Sequence, residues 1–291
     1  MGVRVLTDST SYVPREVRQE LDIGVVGLFS TLEGVTYSDD AEDYGPFFRA
    51  LAETKQFPTT SQPSVQDLVT AIEEPVSAGK DVVGVFISAD MSGTYSTALL
   101  ARDIVLEQSP DATIEIIDAR SNSMELGYAA IAAAREAAAG GGVASVVTAA
   151  HEMMERTRFL FVPHTLEYLR RGGRMGGASA LIGSLLQIRP ILTVVDGKTD
   201  VFAKVRTKAR ALDELVAAFA ADISARGGLG EVVVHHIDDE AEGAELAGRL
   251  AEAAGRNVQV TPIGPAIGAH VGPGAVGVVY STQEPMRKGQ R

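Results

Sequence analysis

Largely apolar, β-branched residues gather in short runs at 3–6, 25–29, 82–87 and 114–117. Runs of four to six residues have strand length, and their near-continuous apolar character suits strands buried on both faces. Between them, apolar positions recur at helical spacing over 14–21, 44–54, 65–77, 94–107 and 124–139, with Pro14 where a first helical turn accepts it. Strands alternating with helices predict a parallel sheet covered by helices. Gly140, Gly141 and Gly142 stop the fifth helix, a further one runs over 143–156, and a domain boundary is expected near Thr157.

Beyond that point the pattern changes. Strands are expected at 159–162, 191–195, 201–205, 232–237, 258–261 and 276–280, and helices at 166–170, 178–186, 209–225 and 241–254. Asp196-Gly197, between two strand-like runs, predicts a tight hairpin and therefore antiparallel neighbours. The expected fold class is α/β in two domains. Residues 1–157 form a three-layer α/β/α domain with a mainly parallel sheet. Residues 158–283 form a two-layer α/β domain with a mixed sheet, and 284–291 a disordered tail. Segment 55–78 is a candidate to pack on the second domain.

Composition narrows the function classes. The 291 residues, 45% hydrophobic, suffice for two cores. No run of eighteen apolar residues and no charged leader with an apolar core is visible, so a cytoplasmic protein without stable membrane insertion is expected. Cysteine is absent, which excludes disulfides, zinc-thiolate sites and a cysteine nucleophile; the five histidines have no His-x-x-x-His spacing, and neither metal nor cofactor is expected. A net charge of -12 argues against nucleic acid. One window departs from it: residues 156–210 hold eleven Lys and Arg against Glu167, Asp196 and Asp200. Such a run is either a solvated face or a dock for an acidic partner.

Three polar loops carry the candidate chemistry. Thr7-Asp8-Ser9-Thr10-Ser11 follows the first strand, where ligands of parallel sheets collect, although helix capping accounts for part of it. In Thr59-Thr60-Ser61-Gln62-Pro63-Ser64, Ser64 and Asp67 have the spacing of an N-cap pair, while Thr60, upstream in a segment too polar to be core, is a candidate to donate to a bound oxygen. Ser88-Ala89-Asp90-Met91-Ser92-Gly93-Thr94 joins a strand to a helix whose first amides lack intrahelical partners, an anion site without the lysine of a P-loop.

These loops recur in order with Leu166-Glu167-Tyr168-Leu169-Arg170-Arg171-Gly172-Gly173-Arg174, Arg189-Pro190-Ile191-Leu192 and His270-Val271-Gly272-Pro273-Gly274. The combination resembles the DegV family along nearly the whole chain. The resemblance implies two α/β domains holding one long-chain fatty acid in a tunnel between them. Its carboxylate would lie on Thr60 and Ser92, with no catalysis by the protein itself. It also implies a partner, an ATP-dependent fatty acid kinase that receives the carboxylate and makes the acyl-phosphate for phospholipid synthesis. Arg189 stands where the family usually has lysine, and Met175 where it has an aliphatic residue.

The candidate carboxylate site therefore comprises Thr60, Ser92, Gly93 and His270, with Asp8, Ser9 and Ser61 as secondary candidates. His270 is expected in an irregular loop imposed by the glycines and Pro273 around it. His164, His235 and His236 are read as structural. Arg170, Arg171, Arg174 and Arg206 are docking candidates, with at least one arginine expected to pair with Glu167 or cap a helix. The alternative is a serine hydrolase using Ser92 and His270, with Asp8 as the only nominee for the orienting carboxylate; it lacks the Gly-x-Ser-x-Gly elbow.

Overall fold

The computed structural model describes residues 2–181 and 188–286. In chain order its first elements are β1 (Val3–Asp8), α1 (Arg15–Glu20), β2 (Ile23–Val26), β3 (Phe29–Leu32), β4 (Val35–Ser38), α2 (Gly45–Glu53), β5 (Thr59–Ser61), α3 (Val65–Ser77), β6 (Asp81–Phe86), α4 (Thr94–Gln108), β7 (Ile114–Asp118), α5 (Ser123–Ala138) and α6 (Val143–Arg156). There follow β8 (Thr157–Val162), α7 (Glu167–Arg171), β9 (Arg189–Val195), β10 (Lys198–Val205), α8 (Lys208–Ala225), β11 (Leu229–His236), α9 (Glu240–Ala254), β12 (Gln259–Pro262), α10 (Pro265–Val271) and β13 (Val276–Thr282).

The chain divides into two compact units. The first comprises Met1–Phe29, Ser38–Asp40 and Thr60–Met154. Its sheet has the order β2-β1-β6-β7, all parallel, as the unbroken apolar runs require. Alternation along the strands sends Leu6, Val82, Phe86, Ile114 and Ile116 to one face, where they pack on Leu68, Val69 and Ile72 of α3 and Ala98, Ala101 and Val105 of α4. Val5, Val83 and Val85 point the other way and are equally buried. There α5 packs on β1 and β6, giving the three layers. Each fully buried Leu or Ile in this core contributes about 1.5–3 kcal/mol.

The second unit comprises Ser30–Tyr37, Ala41–Thr59 and Glu155–Arg291. Its mixed sheet has the order β10-β9-β8-β13-β11-β12, with only β11 and β12 parallel. The predicted Asp196-Gly197 hairpin is present, both residues having positive φ (50° and 81°) as a type I′ turn demands. Leu160, Ile191, Val234, Val276 and Val278 pack against Leu212, Leu215 and Phe219 of α8 and Leu246 and Leu250 of α9. Tyr280 is fully buried there, its hydroxyl donating to Asp222 Oδ2 at 2.6 Å, the oxygen that Arg158 Nη1 also reaches at 2.5 Å. Burial, and then Asp222, raise the Tyr280 pKa well above its ordinary value.

Several expectations need correction. Residues 25–29 are not one strand: β2 ends at Val26, Gly27 intervenes, and β3 begins a separate hairpin. That hairpin turns on Glu33-Gly34 with φ of 50° and 80°, the same turn geometry without the usual Asn or Asp. Of segment 55–78, α3 lies in the first unit because Leu68, Val69 and Ile72 belong to its core, while 41–59 and 30–37 belong to the second. The expected helix over 178–186 begins as a 3-10 turn, Gly176–Leu181, and its remainder lies outside the described residues. A disordered tail from residue 284 fails for its first three residues. Met286 is buried in the second core and its amide donates to Glu155 O at 2.8 Å; residues 287–291 lie outside the described residues.

Candidate functional site

At the end of β1, Asp8 is fully buried. Its Oδ1 accepts from Thr10 N (3.0 Å) and Thr10 Oγ1 (2.5 Å), and its Oδ2 from Ile87 N (2.8 Å). Burial pushes this carboxyl up to about 6, and the three donors pull it back only in part. Ser9 Oγ accepts from Leu28 N at 3.0 Å. Asp8 therefore ties the ends of β1 and β6 together, and Ser9 ties β1 to the segment after β2.

The loop after β6 is a hydrogen-bonded turn. Met91 N and Ser92 N donate to Ser88 O at 2.9 and 3.0 Å. Gly93 caps α4, and Ser92 Oγ accepts from Thr94 N at 3.2 Å and lies 2.9 Å from Thr94 Oγ1. With that lone pair engaged, the Ser92 hydroxyl proton can be directed outward to an acceptor when Thr94 supplies its own proton to the pair.

Thr60 lies on β5, which ends at Ser61, and Pro63 confines Gln62, just beyond the strand, to extended backbone. Ser64 then closes a capping box with Asp67 at the start of α3, as the spacing predicts. Gln62 Nε2 donates to Thr97 Oγ1, whose own hydroxyl donates to Gly93 O at 3.1 Å. The Gln62 amide lies so close to Gly93 that a Cβ there would collide with its Oε1. A side chain at 93 would have to push this amide aside, whereas the backbone there, at φ -73°, suits any residue. The Thr60 and Ser92 loops are thus brought together through Gln62, a residue of the Thr-Ser-Gln-Pro-Ser run whose type alone does not point to the site.

A second loop was missed. After β7, Arg120 and Ser123 hold positive φ (50° and 59°), Asn122 Nδ2 approaches Met91 Sδ at 3.0 Å, and Ser88 N donates to Ser121 O at 2.9 Å. Asn122 Oδ1 and Ser123 Oγ are buried without a partner among the described residues. Strained backbone with buried polar atoms is the only signal, and neither can be read from residue types.

The second unit holds the basic motif. Glu167, opening α7, accepts from Arg170 Nε (3.0 Å) and Nη2 (2.8 Å) and from Arg171 Nε (2.5 Å). These bonds, Arg170's first, hold its carboxyl down at about 2. Arg171 also lies 4.1 Å over the Phe57 ring, which packs on Tyr168 at 5.1 Å between centroids. Arg174 Nη1 donates to Gly172 O at 2.5 Å, while Arg206 is exposed. The expectation of at least one structural arginine is met by Arg170 and Arg171, which pair with Glu167, and by Arg174, which bonds the C-cap carbonyl of α7.

His270 is not in an irregular loop. It occupies the last turn of α10, a helix begun by Pro265 at its first position and closed by Gly272 at φ 85°. It lies against Gly172, and Gly272 lies against the Tyr168 ring, so α10 is packed on α7. Burial, then the Arg174 charge, push the imidazole down to about 4, leaving it neutral at pH 7. His235 is likewise buried, with Nδ1 3.1 Å from Thr261 O, and is also held at about 4, first by burial. Among the described residues no cluster suits a metal ion and no helix is long and apolar enough to cross a membrane.

The family model described as "Uncharacterised protein, DegV family" matches residues 2–283. A DegV domain-containing protein of Clostridium acetobutylicum is 48% identical over 99% of this chain and 100% of its own length. Among solved structures, a DegV family protein from Thermus thermophilus described as binding fatty acid is 30% identical with a TM-score of 0.85, covering 97% of this chain and 100% of its own. DegV from Bacillus subtilis, described as a fatty acid binding protein, is 29% identical with a TM-score of 0.82, covering 97% and 99%. Sequence, fold and the ordered motifs agree: the chain belongs to the DegV family.

Proposed function

We propose that this chain binds one long-chain fatty acid, holds its carboxylate on the Thr60 and Ser92 hydroxyls and buries the acyl tail. The observation that carries the reading is the meeting of the Thr60 and Ser92 loops at Gln62 and Gly93, in relatives of fatty-acid-binding proteins. A sixteen-carbon tail has ~14 methylenes, whose burial provides at most roughly 11 kcal/mol before ordering costs. The tail can therefore supply the affinity, while the head needs donors to remain ionised out of water. Hydroxyls supply them without charge and leave a better nucleophile than a carboxylate clamped by arginine. The chain itself catalyses nothing in this reading. It presents the head to a separate ATP-dependent fatty acid kinase in the cytoplasm, with Arg170, Arg171, Arg174 and Arg206 as docking residues, and the acyl-phosphate feeds phospholipid synthesis. A hydrolase is disfavoured because both oxygens of Asp8 are engaged by Thr10 and Ile87.

Native mass spectrometry of chain purified from a bacterial host is the direct test. An acyl adduct is expected, reduced in Thr60→Ala and Ser92→Ala. Arg206→Ala should keep the adduct and slow acyl-phosphate formation with added kinase. A bare mass throughout, or turnover of nitrophenyl acyl esters abolished by Ser92→Ala, would sink the reading.

A further inference from the structure

A cleft of about 340 Å³ lies in the first unit beside β2, the edge strand of its sheet, within the size range of small-molecule sites. Arg15, Arg18 and Gln19, three and four positions apart, share the face of α1 that lines it. Arg4 enters from β1. Its guanidinium lies over Gly24, where a Cβ would meet Nε and Nη2 at 3.7 Å. Asp22, at φ 53°, takes Arg4 Nη1 on one oxygen and Lys80 Nζ on the other at 3.2 Å. Arg18 Nη1 reaches Asp40 Oδ1 at 2.8 Å, while its Nε is buried with no partner among the described residues. Burial pulls the Arg4 pKa down against the field of Glu74 on α3, so this guanidinium has lost part of its hydration. Three arginines and Lys80 thus stand against Asp22, Asp40 and Glu74, a local positive excess on a chain of net charge -12.

We propose that this cleft binds the phosphate group of a small ligand on Arg4, Arg15 and Arg18. A guanidinium is a planar fork of five N–H donors that matches phosphate oxygens, and one carboxylate oxygen does not exhaust it. Asp22 and Asp40 therefore orient Arg4 and Arg18 and still leave donors for an anion. The Gln19 amide and the side chains of Ile23 and Val25 offer room and contact for the organic part of a phosphate ester. The cleft is separate from the polar loops. Arg4 lies near the amino end of β1 and Asp8 at its carboxyl end, roughly 13 Å along the strand. The inference consequently stands apart from the fatty acid reading.

The test titrates the full chain, at fixed ionic strength, with inorganic phosphate and separately with glycerol phosphate, following the arginine Nε–H signals by NMR. Saturable shifts are expected for Arg4, Arg15 and Arg18. Arg15→Ala, an exposed position whose loss the fold should tolerate, should weaken binding roughly fivefold, and Arg18→Ala roughly tenfold. Arg102→Ala, which removes a guanidinium on α4 outside the cleft, should leave it unchanged. Tighter binding of glycerol phosphate would show an ester seated in the cleft, and equal affinity would show that the phosphate group alone is recognised; both support the site. Shifts that rise without saturating, or an Arg102→Ala loss as large as that of Arg15→Ala, would mean diffuse attraction and overturn it. Should Arg18→Ala fail to fold, Arg15→Ala with Arg18→Lys carries the same comparison. Native mass spectra of Arg15→Ala should show the same acyl occupancy as wild type; a lower one would place the cleft within the lipid site and overturn its independence.

Discussion

The two units place polar groups in opposite ways. In the first, the polar loops at the ends of β1, β5 and β6 use neutral hydroxyls and one buried carboxyl, Asp8, which burial pushes up to about 6. In the second, the exposed charge of α7 is tied up by Glu167, and the buried titratable groups include His235 and His270, each pushed down to about 4. Local charge in a sequence is thus a poor guide to available charge. The basic motif keeps more guanidinium charge than its one carboxylate can neutralise, but Arg170 and Arg171 are already bonded to Glu167.

The opposite shifts give the largest expected effect. A histidine at about 4 in the fold and 6.5 unfolded contributes stability that is complete above pH 6.5 and lost as pH falls towards 4. An upper bound is about 3 kcal/mol for each. Asp8, raised from 3.8 to about 6, acts the other way: its folded form keeps its proton longer, so the fold gains up to about 3 kcal/mol as pH falls from 6 to 4. Urea unfolding at stepped pH should show net destabilisation on acidification. His235→Gln should flatten that slope and Asp8→Asn steepen it. Slopes that move together in the two variants would contradict the assignment of opposite signs.

Where one residue type determines the local outcome, the sequence was readable. The strands of the parallel sheet, α3 with its Ser64-Asp67 cap and the Asp196-Gly197 turn all follow from periodicity or turn chemistry. The Glu33-Gly34 turn was missed because glutamate seldom takes positive φ. Seven-residue α10 was missed because Gly268 inside it and Gly272 after it looked like one irregular stretch; only packing on Tyr168 and Phe48 distinguishes them. Thr60 and Ser92 came from loop chemistry joined to a family motif. Gln62 could not, because its meaning lies in a contact with Gly93, thirty-one positions on, that no local pattern encodes.

A smaller effect separates capping from ligand holding within the first unit. Ser64→Ala and Ser92→Ala each remove a hydroxyl that receives a first-turn amide, from Asp67 and Thr94 respectively. Each should cost about 1 kcal/mol of stability by chemical denaturation. Only Ser92→Ala should also lower fatty acid occupancy, and Ser92→Thr should restore most of both. Equal occupancy in the two alanine variants at matched stability would reduce Ser92 to a cap.

The smallest effect concerns α7, where the charges are exposed and stability should hardly respond. The sensitive quantity is the titration of Glu167 itself, followed by carboxyl carbon NMR. In wild type its midpoint should lie at about 2, against an ordinary 4.5, because the carboxylate accepts three guanidinium bonds. Arg170 engages both oxygens and Arg171 one, so Arg170→Ala should raise the midpoint further than Arg171→Ala. Arg171 has the Phe57 ring as a second anchor and should stay ordered when Glu167 is replaced by glutamine, whereas Arg170 should not. Slow exchange of the Arg171 Nε proton persisting in Glu167→Gln, with that of Arg170 lost, would separate an arginine held by the fold from one that a partner's carboxylate could take over. The reverse pattern would make Arg170 the structural arginine and Arg171 the docking candidate.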